Sequence, residues 1–270
     1  MAISAKKNTF NKHKCSKGVC NLMPSFFQSP ININIQNIGF RGVTPSLPYN
    51  SLAQDGFVSN PLYNHFADKA RIEFEAKTNP RVRELMHKYN LPLRVNTEEL
   101  QILLKGHLKN TRLVAAQIYS NLPAYIRKDV NLQQLQEAAI LHDYGKILIP
   151  NEILNKKGAL DQREREIMSL HSELGYELLK NKGLDENILK LIKYHHQNPS
   201  GNGYPAVAKD YEHSITAQIL NAADEYTALR EERCYKNALD KKQALKVIKE
   251  KSDTGTISPE VYQALEKAVL

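Results

Sequence analysis

The chain has 270 residues, of which 41% are hydrophobic and 24% charged, with a formal net charge of +8 at neutral pH. That length readily buries a core in one large domain, or in one domain plus an appendage. With no run of about 18 apolar residues and no apolar stretch behind the first lysines, neither a membrane span nor a secretory signal is expected; cytoplasm is the expected compartment.

Residues 1–59 lack sustained periodicity and scatter Pro24, Pro30, Pro45 and Pro48 among Asn and Ser, the pattern of irregular or disordered chain. Lys6, Lys7, Lys12, Lys14 and Lys17 supply five of the eight excess positive charges here, with no acid in the first 20 residues. The excess is therefore a basic, solvated tail, and without an aromatic RNA-binding motif it argues against nucleic acid as a partner. Cys15 and Cys20, beside His13, have no second ligand pair, so a zinc site is disfavoured; the three cysteines fit a reducing compartment.

Asn60-Pro61 and Asn79-Pro80 each place a capping residue before a proline suited to the first helical turn. They predict helices over 61–77 and 80–89, a short helical appendage over 60–95 ahead of the main domain at 96–270. Asn96 and Glu99 have capping-box spacing, and the apolar stripe behind them reads Leu100, Leu103, His107, Thr111, Val114, Ile118. The next segment runs Leu132, Leu135, Ala139 and ends on His142. The segment capped by Asp161 and Glu164 runs Ile167, His171, Leu174, Leu178. From Asp185 a fourth carries Ile188, Leu189 and Ile192 into His195 and His196, and a fifth aligns Ala217, Leu220, Asp224 and Ala228. Ser258-Pro259-Glu260 announces a last helix that closes on Leu265 and Val269.

On a period of about 3.6 residues these histidines, and Asp224, occupy positions where an apolar residue belongs. One such histidine is ordinarily a hydrogen-bonded core residue; the same intrusion in five segments points to a shared site. Buried carboxylates such as Asp143 and Asp224 need cations, and no Arg or Lys lies on the Asp224 stripe. Metal ions would satisfy the set. Imidazole and carboxylate without thiolate suit iron, manganese, zinc or nickel, and a bridging carboxylate suits two ions about 3.5–4 Å apart.

His142-Asp143 followed by Gly145-Lys146 and Ile149-Pro150, then His171, His195-His196, Gly203-Tyr204-Pro205, Asp224 and Arg233 resembles the HD-GYP family of cyclic di-GMP phosphodiesterases, over roughly residues 98–270. The resemblance implies an all-α HD-domain bundle whose metal ligands are His107, His142, Asp143, His171, His195, His196 and Asp224. Asp143 and Lys146 would be catalytic. Lys146, Tyr204, Arg233 and Lys236 would contact substrate. The implied cofactors are two divalent ions, iron or manganese foremost, and the implied reaction is hydrolysis of cyclic di-GMP to pGpG or GMP. A homodimer is admitted, with no residue specifying it.

Four positions depart from the family pattern. Leu103 stands where some members hold a third metal with glutamate, which favours a dinuclear centre; Thr227 replaces a carboxylate one turn from Asp224; Cys234 follows the arginine in place of proline; and Tyr144 replaces an aliphatic residue. Thr227 and Cys234 flank the expected substrate side and keep another nucleotide open as substrate. A catalytically idle, nucleotide-binding signalling protein is the reading from a different class.

Overall fold

Capping side chains start most of the helices in the computed structural model, which describes residues 68–206, 211, 213–232 and 237–270. Asp68 caps α1 (Lys69–Thr78), and Asn79 caps α2 (Pro80–Lys88) by accepting from the N–H groups of Arg81 and Val82. Then come α3 (Thr97–Lys105), α4 (His107–Asn121), the single turn α5 (Ala124–Arg127) and α6 (Leu132–Leu141), capped by Asn131. A 3-10 turn (Tyr144–Leu148) and the short α7 (Asn151–Leu154) follow. Asp161 and Glu164 form the predicted capping box of α8 (Gln162–Leu179), and Asp185 caps α9 (Glu186–Tyr194). Ser214 starts α10 (Ile215–Arg230), Asp240 starts α11 (Lys241–Asp253) and Ser258 starts α12 (Pro259–Val269). Each such cap is worth about 1 kcal/mol. The fold is all-α among the described residues, with one isolated bridge between His196 and Tyr204.

Helix α4 is the hub, packed against α6, α10 and α12, while α8 packs on the 3-10 turn and on α9. Leu108 and Ile118 of α4, Leu135 of α6, Leu174 of α8, Ile192 of α9 and Leu220 of α10 are fully buried in the shared core. Burial of each stabilises by roughly 1.5–3 kcal/mol. Ile72, Ala76, Val82 and Leu85 join the same core from α1 and α2. These two helices dock on α8 through polar contacts as well: Asn79 Nδ2 donates to the backbone and side chain of Glu177 at 3.1 Å, Arg81 pairs with Glu173 at 2.8 Å, and Lys182 pairs with Glu75.

The described helices correct the sequence reading at three points. The first helix among the described residues begins at Lys69 behind an extended Asp68, so no single helix runs from 61 to 77; Asn60-Pro61 lies outside the described residues, as do residues 1–59 with Cys15 and Cys20. The stripe from Leu100 to Ile118 belongs to two helices. Gly106, at φ −112° and ψ −97°, leaves the helical region and breaks the chain between α3 and α4, so that His107 opens a new helix. The capping box at Asn96 is only half made: Asn96 accepts the Glu99 N–H at 3.0 Å, but its own N–H donates to Ile147 O at 2.8 Å.

Gly145 sets how closely the 3-10 turn approaches α8. A Cβ there would lie 2.0 Å from the His171 carbonyl oxygen and 2.5 Å from the Gly175 nitrogen. Gly145→Ala is expected to destabilise the fold by about 1–3 kcal/mol through forced separation of the two elements. Urea unfolding checks this, and a change within experimental error would show that the two backbones are not in close approach.

Candidate metal centre

The site forms where five helices and the 3-10 turn deliver polar groups to one point beneath the surface. His107 comes from the start of α4, His142 from the C-cap of α6, and Asp143 from the step into the 3-10 turn. His171 lies mid-way along α8, His195 and His196 end α9, and Asp224 comes from α10. All seven expected ligands meet. They fall into three overlapping groups whose ligand atoms lie within 4.8 Å of one another: His171, His195 and His196; His107, His142 and Asp224; His142, Asp143 and His195.

Hydrogen bonds set the tautomers. The Nδ1 atoms of His142, His171 and His195 face carbonyl oxygens three residues back in their own helices, Ala139 O at 3.0 Å, Met168 O at 2.7 Å and Ile192 O at 2.7 Å. A carbonyl only accepts, so each Nδ1 carries the proton and each Nε2 presents a lone pair inward. His171 Nε2 and His195 Nε2 then face each other at 3.1 Å, two acceptors with no proton to share. His142 Nε2 is buried without a hydrogen-bond partner, 3.5 Å from Asp143 and 3.6 Å from Asp224. Lone pairs converging in a buried space fit a divalent cation, and the nitrogen and oxygen donor set agrees.

The carboxylates do not argue for the metal in the way the sequence implied, because each has a protein cation. Lys146 Nζ lies 2.5 Å from Asp143 Oδ2, and His107 Nε2 lies 2.9 Å from Asp224 Oδ1. Burial works to raise the Asp143 carboxyl, but Lys146 and the surrounding imidazoles hold it well below the usual carboxylate range. Asp224 is likewise held low against burial by the His107 hydrogen bond and the nearby His142. Burial disfavours a charge on His107, yet hydrogen bonds to Asp224 and Glu231 raise it to about 9. Burial dominates at His171, lowered to about 4, and at His196, lowered to about 3; His195 is pushed down by burial and its neighbouring imidazoles.

Tyr204 stands at the edge of this cluster, its ring 4.6 Å from that of His196 and 6.0 Å from that of His171. Burial pushes its hydroxyl upward, so it remains a phenol. Thr227, one turn from Asp224, is 3% exposed, and its hydroxyl is buried without a hydrogen-bond partner. Tyr144 is buried in the core, and Leu103 packs at its margin. Arg233, Cys234 and Lys236 lie outside the described residues.

Three residues of the site were not singled out from the sequence. Glu231 Oε2 lies 3.0 Å from His107 Nδ1; its spacing of seven from Asp224, two helical turns, was the available signal. Asn221 Nδ2 donates to His195 O at 2.9 Å and lies 3.3 Å from Gln197 O. Gln197 Oε1 accepts the Gly203 N–H at 3.2 Å, bracing the Gly-Tyr-Pro loop against the paired histidines. Lone amides in a sequence carry no such signal.

Residues 94–261 match the family described as the HD domain, and this chain belongs to that family. Among curated proteins it is 34% identical over 135 residues to a 3'3'-cGAMP-specific phosphodiesterase 3 of Vibrio cholerae serotype O1, covering 50% of this chain and 29% of that protein. It is 36% identical over 141 residues to a cyclic di-GMP phosphodiesterase of Thermotoga maritima, covering 52% and 38%. It is 37% identical over 107 residues to the cyclic di-GMP phosphodiesterase response regulator RpfG of Xanthomonas campestris pv. campestris, covering 38% and 28%. The chain thus spans between about a quarter and two fifths of the length of these relatives. No helix among the described residues is long and apolar enough to cross a membrane.

The protonation pattern predicts how the metal-free protein responds to pH. His171 and His196 are lowered in the fold, so below the ordinary histidine value of about 6.5 the unfolded chain takes protons the fold refuses, and stability falls from there toward about pH 4. His107 is raised, so its contribution is full below about 6.5 and is lost as pH climbs through about 9. Urea unfolding of metal-stripped protein should therefore show greatest stability near about pH 6.5. His107→Asn should remove the alkaline decline alone; an unchanged alkaline limb in that variant would contradict the assignment.

Proposed function

We propose that this chain is a metal-dependent phosphodiesterase that hydrolyses cyclic di-GMP to pGpG or GMP at a dinuclear centre. Its ligands are His107, His142, Asp143, His171, His195, His196 and Asp224. The observation that carries the reading is the pair of bare imidazole nitrogens, His171 Nε2 and His195 Nε2, facing each other at 3.1 Å beside the unpartnered His142 Nε2. Such an arrangement is at rest only around a cation. The two outer ligand groups share the middle one through His142 and His195, which supports two ions over one. Iron or manganese fits the donor set, and relatives named as cyclic di-GMP phosphodiesterases support the substrate.

Two divalent ions held there would supply activated water at neutral pH and offset charge on the phosphoryl oxygens. The chain's own groups do the rest. Asp143, central to the cluster and held ionised, faces both ligand groups. Lys146, with its side chain 16% exposed, keeps a compact positive charge beside Asp143 where a substrate phosphate would arrive. Tyr204, a phenol throughout the neutral range, offers a ring for stacking or a hydroxyl to donate. Arg233 and Lys236 are proposed to contact the phosphates from the segment after α10.

A second cyclic dinucleotide, 3'3'-cGAMP, is the alternative substrate, favoured by the relative that carries that specificity in its name. Elemental analysis of anaerobically purified protein should find about two ions per chain, and the same sample should turn over one of the two dinucleotides. Asp143→Ala should lose both metal and hydrolysis. Lys146→Ala should keep the metal and lose about 10²–10³-fold in kcat. Full metal content in Asp143→Ala would sink the bridging role, and a metal-free wild type would sink the catalytic reading.

A further inference from the structure

Three of the inward-facing histidines receive their orientation from their own helices, each through the carbonyl three residues back. His107 has no such arrangement, because it opens α4 directly after the break at Gly106. Its Nδ1 instead meets Glu231 Oε2 at 3.0 Å, across 124 positions of sequence. Glu231 sits at the C-cap of α10 in extended backbone, two turns past Asp224 and only a quarter exposed. One helix therefore brings two carboxylates to the same ring, Asp224 at Nε2 and Glu231 at Nδ1.

We infer that Glu231 is a positioning residue of the metal centre, holding His107 with Nδ1 protonated and Nε2 turned toward Asp224 and His142. The inference rests on the metal-centre reading above. A ligating imidazole is both a better donor and a fixed one when its other nitrogen donates to a carboxylate, and a carboxylate polarises the ring more than a peptide carbonyl does. His107 needs this more than the others, since nothing within its own helix supplies the partner. Glu231 does not itself need to touch metal or substrate. It acts through His107, and its effect should therefore appear in metal affinity before it appears in any catalytic rate.

The test is calorimetric titration of the metal-stripped full chain with manganese. Glu231→Met keeps the side-chain volume but offers no acceptor oxygen, and should weaken manganese binding by about 10–100-fold. Glu231→Gln, whose amide oxygen still accepts from Nδ1–H, should recover most of that loss. Glu231→Ala stands in for the methionine variant should the latter not fold. In a His107→Ala background, removing the Glu231 carboxylate should cost nothing further. Wild-type affinity in Glu231→Met, or an equal loss in the His107→Ala background, would overturn the positioning role while leaving the metal centre intact. A wild-type chain that takes up no manganese and no ferrous iron would overturn the centre and this inference together.

Discussion

The Asp143 carboxylate, 1% exposed, is the charge around which the site is organised. One of its oxygens lies 3.3 Å from His171 and 4.0 Å from His195; the other lies 3.5 Å from His142, 3.6 Å from His107 and 2.5 Å from Lys146. A carboxylate so deep in protein is tolerated only beside opposite charge, which Lys146 supplies at one of its oxygens. To bring it there the chain leaves α6 at His142, turns through a 3-10 segment and lays Gly145 directly on the α8 backbone. The tight packing at Gly145 and the burial of Asp143 are thus one constraint: the turn cannot move outward without drawing the carboxylate away from His171.

That constraint explains why the ligands arrive from so many elements. Each helix delivers one or two groups from its inward stripe, and the core around Leu108, Leu174 and Leu220 fixes the helices relative to one another. Apolar packing does the positioning, and the polar groups occupy the small volume left where stripes converge. α1 and α2 bear on the same scaffold from outside, docking on α8 through Asn79 and Arg81 at Glu177 and Glu173, close in sequence to His171.

Much of this was legible in the sequence because periodicity reports burial. His107, His142, His171 and Asp224 stood out as polar residues on apolar stripes, and those stripes are the buried faces. Caps at Asn79, Asp161, Asp185 and Ser258 were legible for a local reason, since a capping side chain bonds to N–H groups two or three residues ahead. The break at Gly106 was not, because the hydrophobic spacing continues across it and a single glycine is compatible with an unbroken helix. Glu231 escaped for the opposite reason: its role depends on a contact 124 residues away, and a glutamate at a helix end reads as solvated. The cations at Asp143 and Asp224 were misjudged because Lys146 acts from a 3-10 turn off the helical stripe and because a histidine between two carboxylates becomes one.

The protonation states divide the cluster in two. On the Asp224 side, His107 is held as a cation by two carboxylates and satisfies them in return. On the opposite side, burial keeps His171, His195 and His196 from taking protons, and His171 and His195 present bare Nε2 atoms to each other. His142 and Asp143 join the halves. On the proposed metal-centre reading, His171 and His195 are already in the state a ligand needs, whereas His107 would have to release its Nε2 proton first. An ion held there on the proposed reading would stand beside a positive charge that His107 already supplies. On the other side, His171 and His195 would offer their Nε2 atoms without losing a proton. The two groups differ in make-up, three histidines on one side and two histidines with Asp224 on the other, and the positioning role proposed for Glu231 bears on the second.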